Sequence, residues 1–290
     1  MLTLAAGPGW ATLSIFACEP EWAALAKAVG SSRVKVYSAT THRQDPHYVQ
    51  ARPSLIAKVR RADLVVCSGA ELEQGWLPLV LRKARNPGIL PGTKGYFEAA
   101  DYVELLETPA VLDRAEGDIH ARGNPHLQLD PRNILAVARA LAARLTDLDA
   151  ANEAIYEKHL QEFADFWNAA ISRWQAAAAP LRGQRVVVHH REWIYLLTWL
   201  GMVRAEALEP KPGVPPSAGY LASLKKRLEA EPARFIIRSP LSDPRPATWL
   251  SEQTGIAVVE LPQAPGGTKG ANDLISWFDT VVQRLLEAPW

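Results

Sequence analysis

Residues 149–180 read DAANEAIYEKHLQEFADFWNAAISRWQAAAAP, and this stretch decides how the rest of the chain is arranged. Asp149 is suited to cap a helix, its side-chain oxygen accepting from the free amides of a first turn. Apolar residues then recur at Tyr156, Leu160, Phe163, Trp167, Ala170, Trp174 and Ala177, the alternating four/three spacing of one helical face. Ile155, Phe166 and Ile171 widen the stripe, charged residues cover the remainder, and Pro180 ends it. About thirty helical residues at about 1.5 Å each make a rod of about 45 Å. By itself such a rod could belong to an all-α bundle. Its flanks argue for a spine between two α/β lobes.

Before the rod, strand-like runs alternate with amphipathic helical patterns. Leu13–Cys18, Val34–Ala39 and Leu64–Ser68 read as strands, the third almost wholly apolar, as strands buried on both faces are. Helices are expected from Pro20 to Gly30, from about Pro53, and over Glu71–Lys83, with Tyr102–Glu107 as a short fourth strand. A Gly/Pro/Asp/His-rich loop, Thr108–Asn124, leads to Asp130-Pro131, a cap followed by proline at the first helical position. After the rod the pattern restarts, with strands over Arg185–His190, Ala205–Leu208, Phe235–Ser239 and Ala257–Leu261, and a closing helix over Asp273–Leu286. Strands alternating with helices in this way imply parallel sheets with crossovers. The expected class is therefore α/β, two lobes of about four parallel strands each, flanked by helices and joined by one long spine helix. The boundaries are 1–11 for a leader or signal remnant, 12–148 for the N-terminal lobe, 149–180 for the linking helix and 181–290 for the C-terminal lobe.

A chain of 290 residues can give each lobe its own core. A net charge of +1 leaves no electrostatic footprint for nucleic acid. No apolar run approaches the roughly 20 residues of a membrane-spanning helix. Cys18 and Cys67 lack metal-motif spacing and cannot form a disulfide framework. They end the first and third strands, and two buried thiols are expected there ahead of a disulfide. The hydrolase signatures Gly-x-Ser-x-Gly and His-Glu-x-x-His are missing, as are the phosphate and dinucleotide loops.

In open parallel sheets, ligands bind beyond the carboxyl ends of the strands. His42, Asp45 and His47 follow the second strand, His120 and His126 follow the fourth, His189 and His190 end the first strand of the second half, and Asp273 follows the last. Only His159 lies on the rod, where a solvated or interfacial role is expected. Two tripeptides, Asp45-Pro-His47 and Asn124-Pro-His126, fix the backbone with proline immediately before the imidazole. Facing lobes could bring these groups to one cleft, and three neutral imidazoles with a carboxylate make a tetrahedral zinc site. Glu192 reads only as an acid in the first turn of a helix.

Taken together, these motifs resemble the solute-binding proteins of zinc and manganese ABC importers. The matching stretches are Gln44–Ser54, Ala62–Leu77, Gly123–Asn133, Val186–His190 and Leu208–Pro216, in order and spacing over nearly the whole chain. The resemblance implies pseudo-symmetric lobes with the metal between them and His47, His126 and His190 as ligands. His190 fits better than His189 because the family's aromatic residue, five positions on, falls at Tyr195. It implies Asp273 as the final ligand. Three imidazoles favour Zn²⁺ over Mn²⁺. The long His-rich acidic loop of many zinc members is nearly absent, with only His120 beside Asp113, Glu116 and Asp118, so His120 and His42 are accessory at best. The implied protein is a monomeric, periplasmic or otherwise extracytoplasmic receptor, not an enzyme, that delivers zinc to a membrane permease with its cytoplasmic ATPase. The alternatives are a manganese receptor of the same family, a zinc-dependent hydrolase, or a binder of a bulkier metal chelate.

Overall fold

The computed structural model describes residues 12–109, 117 and 120–289, so the expected leader over residues 1–11 lies outside the described residues. Two four-stranded parallel sheets are built in the same way. The first contains β1 (Leu13–Ala17), β2 (Val34–Ser38), β3 (Leu64–Cys67) and β4 (Tyr96–Glu98) in the order β2-β1-β3-β4. The second contains β5 (Arg185–Val188), β6 (Val203–Ala207), β7 (Phe235–Arg238) and β8 (Ala257–Glu260) in the order β6-β5-β7-β8. The first lobe carries α1 (Pro20–Gly30), α2 (Pro53–Arg60), α3 (Leu77–Ala84) and α4 (Pro131–Leu148). After the long α5 (Glu153–Ala177), the second carries α6 (Ile194–Leu200), α7 (Ala218–Ala230), α8 (Pro244–Thr254) and α9 (Leu274–Glu287).

Alternation along each strand sorts its side chains between two cores. Ile15, Ala17, Leu64 and Val66 point into the same apolar cluster as Val186, Val188, Phe235 and Ile237 of the other sheet. Phe16, Val65 and Cys67 face α2 and α3 instead, and Val187 and Ile236 face α7 and α8. One core thus runs continuously between the lobes, and α5 lies along it. Tyr156, Trp167, Ala170, Ile171 and Trp174 are the buried face of α5, as the periodicity requires. The Trp167 indole donates to the Pro131 carbonyl of the first lobe (2.7 Å), and that of Trp174 donates to Asp279 on α9 of the second (2.6 Å). His159 stays on the rod beside Glu162, 3.2 Å away.

Several local expectations are corrected. Asp149 does not cap α5, which begins at Glu153 after a 3-10 turn. Its carboxylate instead accepts from the Asn152 amide and the Tyr156 hydroxyl, both at 2.7 Å. The fourth strand is Tyr96–Glu98, not Tyr102–Glu107, because Val65–Cys67 pairs with Tyr96–Glu98. The Tyr102–Glu107 segment finds other partners, the Leu106 amide donating to the Tyr195 hydroxyl of the other lobe (3.0 Å). The third helix starts at Leu77 rather than Glu71. Ala70 and Glu71 have positive φ, and Glu73 turns back to accept from the amides of Ser68 and Gly69.

Cys18 and Cys67 are joined in a disulfide rather than left as thiols. Parallel pairing of β1 with β3 sets the chain after Ala17 beside the chain after Val66, and the two Cα atoms lie 4.8 Å apart, within the range a disulfide spans. Beneath it lie three buried carboxyl groups. Burial raises Glu21 to about 8 and Glu73 to about 7. Glu19 is raised well above the usual carboxylate range by burial and by the neighbouring Glu73 and Glu21.

Two stability effects follow. Replacing both cysteines by serine is expected to cost about 2–4 kcal/mol, read as a lowered denaturant midpoint. The folded chain keeps a proton on Glu21 up to a pH of about 8, whereas the exposed group releases it near 4.5. Between those values the unfolded state binds fewer protons, so stability falls as pH rises. Glu21→Gln is therefore expected to stabilise the protein at about pH 8.5 by on the order of 2–4 kcal/mol, read as a higher denaturant midpoint, and to change stability little near pH 4.5.

Candidate metal site between the lobes

The cleft between the two sets of strand ends has a volume of about 330 Å³. Its walls carry His42, His47, His126, His189 and His190. The two proline tripeptides build the first wall by the same local device. The Asp45 side chain accepts from the backbone amide of His47 at 2.9 Å, and that of Asn124 accepts from the amide of His126 at 3.1 Å. Each is a side-chain turn closed two residues on, with proline fixing φ between. The buried Trp76 indole donates to the Pro46 carbonyl (2.9 Å), and the Tyr195 hydroxyl donates to the Asn124 carbonyl (2.7 Å). Both imidazoles therefore stand on backbone held from behind.

The ring orientations are also held. His47 Nδ1 lies 2.7 Å from Asp45 Oδ1, and His190 Nδ1 lies 2.7 Å from Glu209 Oε2. An ionised carboxylate can only accept, so Nδ1 carries a proton in each ring, and Nε2 is the nitrogen whose lone pair is available once the ring is neutral. Glu209 is itself fixed by the Gly213 amide at 2.8 Å. His126 is 7 % exposed, and its Nε2 is buried without a hydrogen-bond partner.

Electrostatics separate the three histidines. Burial, reinforced by His47, His190 and His120, lowers His126 well below the ordinary imidazole value. Burial would also lower His190, but Glu192, Glu209 and Asp45 outweigh it and hold that ring up to about 9. Asp45 is lowered by its hydrogen bonds to His47, against the opposing effect of its own burial.

The ring centroids of His47 and His126 are 5.5 Å apart, and those of His126 and His190 are 6.1 Å apart. With Nε2 about 2.0 Å from a zinc ion and each centroid about 1.1 Å farther back, tetrahedral geometry sets neighbouring centroids about 5 Å apart. Both of these separations are wider than that value. Among the described residues, the trio whose donor atoms gather within 4.8 Å is Cys18, Cys67 and Glu73. Its sulfurs are joined to each other and are no longer thiolate ligands.

His189 also lines the cleft, its Nε2 3.9 Å from Glu209 Oε1. The His120 ring lies 5.4 Å from that of His47, and His42 borders the cleft against Gly266 of the opposite lobe. Asp113, Glu116 and Asp118 lie outside the described residues. Asp273 is exposed and caps α9, its Oδ1 accepting from the amide and hydroxyl of Ser276, both at 2.8 Å. It is not among the residues lining the cleft. The sequence reading missed the contribution of Glu192, which is 1 % exposed and lines the cleft. The available signal was its position two residues after His190.

A protein-family model described as ZnuA, zinc-uptake complex component A, periplasmic, matches residues 15–288. The manganese ABC transporter substrate-binding lipoprotein PsaA of Streptococcus pneumoniae is 24 % identical over 254 residues, covering 85 % of this chain and 78 % of that one. The iron ABC transporter substrate-binding lipoprotein MtsA of Streptococcus pyogenes is 22 % identical over 254 residues, with the same coverage of 85 % and 78 %. A crystal structure of ZnuA superposes with a TM-score of 0.78 at 21 % identity, covering 96 % of this chain and 99 % of that one. A periplasmic metal binding protein from Candidatus Liberibacter asiaticus superposes at 0.77 with 15 % identity, covering 96 % and 99 %. At such identities the superpositions speak for the fold alone, whereas the family model spans nearly the whole sequence. The chain belongs to the zinc-uptake complex component A family, as an extracytoplasmic metal-binding receptor of an ABC importer and not an enzyme.

Proposed function

We propose that this receptor captures Zn²⁺ through Nε2 of His47, His126 and His190 and delivers it, as a monomer, to a membrane permease driven by a cytoplasmic ATPase. The observation that carries this reading is the convergence of three imidazoles from both lobes. Two have Nδ1 fixed by a carboxylate, and the third has a buried Nε2 without a partner. Nitrogen donors of this kind suit zinc better than manganese, which favours oxygen ligands. The relatives named for manganese and iron make Mn²⁺ the competing cargo. A binder of a bulky chelate would need a wide aromatic or cationic cleft, whereas this one is walled by five histidines. The hydrolase alternative is set aside by family membership.

Titration of the metal-free protein against a chromophoric chelator tests this directly. One tight zinc site is expected, with Mn²⁺ much weaker. His126→Ala and His190→Ala are each expected to weaken zinc by about 100-fold or more, and Glu209→Gln by about 10–100-fold. Zinc binding indifferent to both histidine substitutions, or a preference for Mn²⁺ over Zn²⁺, would overturn the assignment.

Zinc must also displace the proton that His190 holds up to about 9. Affinity is therefore expected to rise with pH toward that value, and binding near pH 7.5 to release most of one proton from this ring. Calorimetry in buffers of different ionisation enthalpy measures that release.

A further inference from the structure

Three imidazoles leave a tetrahedral zinc ion one ligand short of the closed sphere suited to a carrier. The cleft holds several carboxylates, and most are already engaged. Asp45 and Glu209 each hold a histidine Nδ1. Asp243 caps α8 and binds the Arg245 guanidinium through both oxygens. Glu19 Oε2 accepts from Ser68. Asp273, the carboxylate implied by family resemblance, is engaged as a helix cap outside the cleft.

Glu192 differs from these. It follows His190 by two residues, in the 3-10 turn Arg191–Trp193 that carries the chain from β5 into α6. Its side chain is 1 % exposed at the cleft wall. Gln263, in the loop after β8, donates through Nε2 to Glu192 Oε1 at 3.1 Å. The other oxygen, Oε2, is buried without a hydrogen-bond partner. A buried carboxylate oxygen with no partner is costly unless something fills its lone pairs. Glu19 Oε1 and Glu21 Oε2 are also buried without a hydrogen-bond partner, but both groups stand beside Glu73 beneath the disulfide of the first lobe, whereas Glu192 follows His190 on the same turn.

We infer that Glu192 Oε2 is the fourth, anionic ligand of the captured ion, and that Gln263 is a positioning residue that turns this oxygen toward it. This inference rests on the histidine site proposed above. It assigns a single carboxylate oxygen to the ion, since Oε1 is occupied by Gln263. With three neutral imidazoles it gives the loaded site a net charge of about +1. It also places two ligands, His190 and Glu192, on one short turn of the second lobe, so movement of that turn would loosen both together.

The test compares Glu192→Gln, Gln263→Ala and Asp273→Asn with the native protein, using Zn²⁺ affinity and the visible absorption of the Co²⁺-substituted protein. Glu192→Gln is expected to weaken zinc by about 10–100-fold and to change the cobalt ligand-field bands. Gln263→Ala should lose less, and Asp273→Asn should match the native protein in both readouts. A zinc-bound crystal structure of the native protein gives a measurement independent of how the variants fold, with Glu192 Oε2 expected about 2.0–2.2 Å from the ion. Native affinity and native cobalt bands in Glu192→Gln, or a spectrum altered by Asp273→Asn alone, would overturn the inference while leaving the histidine site intact. Zinc binding unaffected by His126→Ala would overturn both.

Discussion

The packing of α5 along a core shared by both lobes is the constraint on which the rest of this molecule depends. Trp167, Trp174 and Phe278 meet edge to face or tilted, with ring centroids 5.1 to 5.7 Å apart. The two indoles are hydrogen-bonded to opposite lobes. Aromatic contacts of this kind add to the apolar burial they accompany. Because the same cluster includes strand residues from both sheets, a wide hinge opening would expose core on both sides. The lobes therefore stay close to one separation, and the width of the cleft follows from it. Local shifts of the loops that carry the histidines are the motion this packing leaves available.

On that frame, the cleft is organised by what stands behind each imidazole. Asp45 and Glu209 leave Nε2 as the donor atom of His47 and His190, and Trp76, Tyr195 and Gly213 hold the backbone or carboxylate in turn. Burial favours the neutral form of His126, while neighbouring carboxylates favour the protonated form of His190. An ion entering such a cleft meets one lone pair already free and another that is freed as a proton leaves.

Much of this was legible in the sequence, because it depends on local chemistry. The four/three spacing of Tyr156 to Ala177 requires a helix with one buried face. The apolar runs Leu64–Cys67 and Val186–Val188 require buried strands. The Asp-Pro-His and Asn-Pro-His tripeptides close their own turns, so they announce prepositioned imidazoles wherever they fall. The family resemblance favours His190 over His189; both line the cleft, and the His190 ring lies 6.1 Å from that of His126.

What the sequence by itself determined is therefore the class of each segment and the groups available for metal. The tertiary structure decided which groups share a space. Strand register, set by pairing between distant segments, put Cys18 beside Cys67 and moved the fourth strand to Tyr96–Glu98. Asp149 and Asp273 show the same limit in opposite ways. Asp149 looks like a cap and instead binds Asn152 and Tyr156, whereas Asp273, the ligand implied by resemblance, caps α9 and is not among the residues lining the cleft. A carboxylate has the same local signature in either role. Its partner can lie within a turn or two of chain, as Ser276 does for Asp273, or come from a segment folded against it, as Gln263 does for Glu192, 71 residues apart and in contact only once the lobe is packed.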